Sequence, residues 1–104
     1  MRVAVKIPSV LREFSQGRAT VELELPEESV SVAQIFKALA ETCVGVRDRT
    51  LDEHGALREH VNVFVNADSI RDLDQLATKV SEGDALSIIP AVSGGFGGVA
   101  APLR

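Results

Sequence analysis

Two runs near the start of the chain alternate so strictly that they restrict the fold before anything else is considered. Met1–Ile7 puts Val3, Val5 and Ile7 on one side and Arg2, Ala4 and Lys6 on the other. After a polar stretch holding Ser15, Gln16 and Gly17, residues 19–25 put Ala19, Val21, Leu23 and Leu25 against Thr20, Glu22 and Glu24, until Pro26 stops the run. Period-two alternation marks a half-buried strand, and proline ends it because it cannot donate to a ladder. Each strand therefore has one wet face and one face that needs cover.

The next segment supplies the cover. Ser31 followed three residues later by Gln34 fits a capping box, in which each side chain satisfies a backbone N–H that the first helical turn leaves open. Val32, Ile35, Phe36, Leu39, Ala40 and Cys43 then recur at the three-and-four spacing of one helical face, which is expected to lie across the sheet. Residues 44–60 mix charges with Gly45 and Gly55 and read as a long connection with a helical turn around Val46–Leu51. Alternation returns with Val61, Val63 and Val65 pointing inward. Residues 67–79 are expected to hold a short edge strand and a tight helical turn, and Leu86–Pro90 forms a last strand after the Gly83-Asp84 turn signal. The order is strand, strand, helix, strand, short strand, strand. It predicts an α+β domain in two layers, a mixed sheet packed on one main helix, and suits a β-grasp (ubiquitin-like) roll. A ferredoxin-like or other small α+β domain satisfies the same pattern. With 104 residues and 45% hydrophobic content, one core and one domain are expected.

Several functions are disfavoured. A formal net charge of -4 provides no basic stripe for nucleic-acid phosphates or an anionic membrane. No stretch approaches the roughly 18 apolar residues of a membrane span. The N-terminus lacks the pattern of a signal peptide, and a lone Cys43 cannot close an internal disulfide, so a cytoplasmic protein is expected. His54 and His60 stand at no metal-ligand spacing to Cys43 or to paired carboxylates and read as surface residues. Cys43 reads as a buried small hydrophobe. Asp48, Asp52 and Glu53 lie among Arg47, Arg49 and Arg58, the pattern of a solvated, self-paired surface and not of an acid–base dyad. The pairs Gly94-Gly95 and Gly97-Gly98 have neither the helix nor the lysine of a phosphate loop.

What remains is the end of the chain. The apolar strand runs directly into Ala91-Val92-Ser93-Gly94-Gly95, and five residues can reach about 17 Å beyond Pro90. Here the sequence resembles the sulfur-carrier branch of the ubiquitin-like proteins, which holds the molybdopterin-synthase small subunit, the thiamine sulfur carrier and the cysteine-biosynthesis carrier. The resemblance rests on Ile7-Pro8 with Leu11-Arg12, on the block from Val61 to Asn66 followed by Ile70-Arg71, on Gly83-Asp84, and on Ile88 to Gly95. Within the group it is most similar to the cysteine-biosynthesis type, through the long connection before Val61 and the stretch from Leu57 to Asn66.

The resemblance implies that no side chain is catalytic and that no cofactor is bound. The working group is the Gly95 carboxylate, carried on Ser93 and Gly94. An adenylating enzyme of the ubiquitin-activating kind would use ATP and magnesium to form an acyl-adenylate, from which sulfur displaces AMP to leave a thiocarboxylate. The acceptor would be a partner enzyme such as a cysteine-synthase homologue. Residues 1–93 would be the domain and 94–95 the end of the tether. Carriers of this branch end at the diglycine, whereas nine residues, Phe96 to Arg104, follow it here. A JAMM-type metal-dependent peptidase is therefore expected to cut between Gly95 and Phe96; a rival cut follows Gly98.

Alternation also puts Phe64 and Ile89 on the outer side of the sheet, where with Val92 they would form a partner interface. Isolated exposed apolar residues are ordinary, so the pattern alone does not make a docking face. Three further functions are open: a molybdopterin-synthase small subunit, a protein modifier joined to lysines, and an inert interaction domain that leaves the diglycine without purpose.

Overall fold

The computed structural model describes residues 1–90. It contains seven strands: β1 (Arg2–Lys6), β2 (Thr20–Glu24), β3 (Ser29–Ser31), β4 (Val61–Val65), β5 (Asp68–Ser69), β6 (Lys79–Ser81) and β7 (Ala85–Pro90). Two helices, α1 (Val32–Leu39) and α2 (Val44–Thr50), lie between β3 and β4, and a 3-10 helix spans Ser9–Ser15. The main sheet has the order β2-β1-β7-β4-β5. β1 runs antiparallel to β2 and parallel to β7, while β4 is antiparallel to β7 and β5. The first and last strands thus lie side by side at the centre of a mixed sheet packed on α1, the β-grasp roll that the sequence suited.

Local sequence accounts for the main elements. Val3 and Val5 are fully buried, as the alternation requires, and Val63, Leu86 and Ile88 continue the same inner face. α1 starts at the expected cap: Ser31 Oγ accepts from Gln34 N–H at 3.2 Å, and Gln34 Oε1 accepts from Ser31 N–H at 2.8 Å. Its Val32, Ile35, Phe36 and Leu39 are all inaccessible to solvent. Each such side chain removed from water contributes on the order of 1.5–3 kcal/mol, which is what pins the helix to the sheet.

Three features differ from the sequence expectation. α1 ends at Leu39, where N–H groups of Glu41 and Thr42 bond three residues back to Ala38 and Leu39, tightening the last turn. Cys43 therefore leaves the helix it was assigned to, but stays buried as the residue that opens α2. The polar stretch after β1 begins with the 3-10 helix, whose Phe14 packs beside Gly45 under the Arg49 guanidinium, 4.6 Å from the ring centre. Finally, β3 and β6 form a second, two-stranded sheet in which Val30 and Val80 pair, both buried.

Candidate functional site

Val92, Ser93, Gly94, Gly95 and Phe96 lie outside the described residues. The structure instead defines the place from which they depart. Ile88 fills the core and Ile89 is half exposed, so β7 keeps its alternation to the last pairs with β4: Val63↔Ile88, Asn62↔Ile89 and Val61↔Pro90. The opposing pairs Asn62↔Ile89 and Phe64↔Ser87 set Phe64 and Ile89 diagonally across two strands on the outer face. Ile89 is 50% exposed, among the most exposed large apolar side chains of the described residues.

Phe64, Ile89 and Pro90 share a surface hollow of about 480 Å³ with Asn62 and Arg71. The two outward apolar residues expected from alternation are thus gathered in one concavity, and the residue that opens the tail, Pro90, stands at its edge. Arg71 and Asn62 were not assigned to this face by sequence reasoning, although Ile70-Arg71 was among the matched motifs. The signal of Arg71 is weak, because a polar residue outside a strand does not disclose which strand it touches, whereas Asn62, between inward Val61 and Val63 of β4, shares the outward face of Phe64 by alternation.

The other candidates stay apart from this place except His60, which with Glu59 lines the rim of the hollow. His54 and His60 are exposed; His60 is 4.0 Å from Glu59 with both side chains 83% accessible. Arg47 pairs with Asp48 at 3.0 Å on the surface. Asp52 tethers its own loop, accepting from His54 N–H at 2.8 Å and Ala56 N–H at 3.0 Å. The Ala56 bond, then the His54 bond, hold its carboxyl below the ordinary value of 3.8, as expected when backbone donors favour the charged form. Arg49 lies over Phe14 and pairs with no carboxylate among the described residues. Cys43 is 1% exposed. Among the described residues no group of three His, Cys, Asp or Glu side chains could hold a metal ion, and no helix is long and apolar enough to cross a membrane.

Comparison with known proteins agrees with the geometry. Residues 5–95 match the model of the ThiS family. The Mycobacterium tuberculosis sulfur carrier protein CysO is 32% identical over 97 residues, covering 91% of this chain and all of the carrier. A chain of the crystal structure of the Amycolatopsis orientalis BexX/CysO complex superposes with a TM-score of 0.79 at 32% identity, covering 88% of this chain and 97% of that one. Small archaeal modifier protein 3 of Haloferax volcanii is 32% identical over 69 residues, 66% of this chain and 74% of the modifier.

Proposed function

The chain belongs to the ThiS family, and from that premise we propose that it is a sulfur carrier whose reactive group is the carboxylate of Gly95. The observation that carries the reading is where the match stops: it begins in β1 and ends on Gly95, nine residues short of Arg104. Its supporting geometry is β7, which delivers the chain to Pro90 beside the Phe64–Ile89 hollow, five residues from Gly95.

The chemistry follows from the electronic state of that group. A free carboxylate is a poor electrophile, so a partner must first join it to AMP, with ATP as donor and pyrophosphate as leaving group. A sulfur nucleophile then attacks the acyl carbon and expels AMP, leaving a thiocarboxylate whose sulfur is the nucleophile in the next transfer. Glycine fits because the absence of a Cβ allows close approach in a partner's active site. While Phe96 remains attached, the carboxyl of Gly95 is an amide and none of these steps can start. Hydrolysis of the Gly95–Phe96 bond by a metal-dependent peptidase must come first.

The partners are then an adenylating enzyme, a peptidase and a sulfur-acceptor enzyme. The similarity to a chain of the BexX/CysO complex supports a partner that works in sulfur chemistry, and the similarity to CysO supports cysteine biosynthesis or a related sulfur-incorporating pathway. We place these steps in the cytoplasm, where ATP is at hand. A second reading, a modifier linked through Gly95 to lysines, is favoured by the likeness to small archaeal modifier protein 3 and shares the chemistry up to activation.

Intact-protein mass spectrometry decides the central claim. Full-length chain and chain ending at Gly95 are each incubated with the activating enzyme, ATP and a sulfide source. Only the shorter form is expected to exchange one oxygen for sulfur; failure of both with a demonstrably active enzyme removes the proposal. Chain isolated from its native cells should end at Gly95. An intact Arg104 alongside working sulfur transfer removes the maturation step, and an end at Gly98 moves the cut to the second diglycine.

A further inference from the structure

β7 leaves the sheet along a narrow peninsula. Its rungs with β1 stop at Lys6↔Ser87, so among the described residues Ile88, Ile89 and Pro90 are paired on one side only, through Val63, Asn62 and Val61 of β4. Among the described residues β4 in turn has no strand beyond it at those positions, because β5 pairs only with Phe64 and Val65. The last three rungs before the tail are thus a two-stranded ribbon with both outer edges bare of strand. Such a ribbon is marginal by itself, and its edge N–H and C=O groups require partners.

Side chains supply them on the β4 edge. Arg71 Nη2 donates to the Val61 carbonyl at 2.6 Å and to the Arg58 carbonyl at 3.0 Å. The Arg58 carbonyl also accepts from Val61 N–H at 3.1 Å. Asn62 Oδ1 accepts from Val63 N–H at 2.8 Å and from Ser69 Oγ at 3.0 Å, while Ser69 Oγ accepts from Arg71 N–H at 3.2 Å. The cluster is rooted in the core by Ile70, which is fully buried. Bonds from a guanidinium are charge-assisted, and one guanidinium nitrogen, Nη2, here serves two carbonyls at once.

We infer that Arg71 is a positioning residue for the tail: standing in for the missing strand, it holds the Val61↔Pro90 end of the ladder and so fixes the tail's point of departure and the Phe64–Ile89 face beside it. The inference rests on the reading of Gly95 as the reactive end. Face and tail are borne by the same rungs, and a slip of one residue would turn Ile89 inward. Without the brace the ribbon samples other arrangements, and a partner finds the docking-competent one only part of the time. The apparent affinity then falls by that fraction, while the bound complex, once assembled, reacts as before.

Arg71→Ala in the chain ending at Gly95 tests this. With the activating enzyme, at a temperature well below the variant's unfolding transition, KM for the carrier is expected to rise about tenfold with kcat nearly unchanged. Arg71→Lys should recover part of the loss, since an ammonium keeps the charge and can still donate to a carbonyl but lacks the fixed, planar reach of the guanidinium. Amide hydrogen exchange at residues 61–64 and 88–89 should quicken about tenfold while Val5, Val21 and Ile35 keep their rates. A purely stabilising contact would leave KM alone and raise exchange throughout the core. If Arg71→Ala does not fold, Ser69→Ala, which removes one bridge of the same web, should show the same local pattern with smaller amplitude. Wild-type KM, or exchange that is unchanged or uniformly raised, overturns the inference. If even the wild-type chain ending at Gly95 is not adenylated, the sulfur-carrier reading fails on its own account, and the exchange pattern still decides the role of Arg71.

Discussion

Gly45→Ala probes how α2 is seated on the 3-10 helix. A Cβ at position 45 would lie 2.4 Å from Phe14 Cδ1, 2.7 Å from Cγ and 3.0 Å from Cβ, against the roughly 3.5–4.0 Å of a comfortable carbon contact. The ring can swing, but Phe14 Cβ moves only with its backbone, and swinging the ring withdraws it from Arg49, 4.6 Å above its centre. Overpacking of this kind costs about 1–3 kcal/mol, and the lost cation–π contact about 0.5–1 kcal/mol. Alanine in a helix returns up to about 1 kcal/mol relative to glycine, less near an end, and Gly45 is the second residue of α2. The net expectation is destabilisation by about 0.5–4 kcal/mol, read from the midpoint of urea unfolding. In a Phe14→Ala background most of the conflict is gone, so the same substitution should be neutral or stabilising, with a coupling of about 1 kcal/mol or more in the double-mutant cycle. A Gly45→Ala protein more stable than wild type, or a cycle additive within about 0.5 kcal/mol, refutes the packing argument.

Other outcomes follow from single contacts. Ser31→Ala removes the reciprocal cap of α1 and should cost about 1 kcal/mol in thermal unfolding, without changing adenylation of Gly95; a loss near zero would mean the cap bonds are matched by water. Phe64→Ala with Ile89→Ala should weaken binding to the activating enzyme by about tenfold or more, the truncation cost typical of apolar anchors, and unchanged binding removes the docking face. Asp52 is held below 3.8 in the folded chain, so its tether is complete above that pH and is lost only as pH falls through the lower folded value. The amide shifts of His54 and Ala56 should titrate together with a midpoint below 3.8, and a midpoint at or above it contradicts the two backbone bonds.

Much of this protein is written in local pattern. Alternation in residues 1–7 and 19–25 specifies β1 and β2, Ser31 and Gln34 mark the start of α1, and alternation through 61–66 and 86–90 already sends Phe64 and Ile89 outward. The family match ending at Gly95 was foreshadowed by the diglycine, which no core position would require. These features are legible because periods of 2 and 3.6 and a four-residue cap operate over a few neighbours.

What the sequence did not disclose depends on partners far along the chain. Val30 gives no strand signal by itself; it becomes part of β3 only because Val80 is brought beside it, fifty residues on. The glycine of α2 reads as a loop residue until Phe14 is found against it. Cys43 kept its burial but lost its helix, since the turn after Leu39 is set by how α2 must pack on the 3-10 helix and α1. Arg71 reaches carbonyls ten and thirteen residues earlier, and whether the Val61 carbonyl needs a donor is decided by where β5 stops pairing. Sequence thus determined the main strands, the helix and the diglycine on which the proposed reactive end rests, whereas tertiary structure decided which edges were left bare, because a backbone group's need for a partner exists only once its neighbours in space are known.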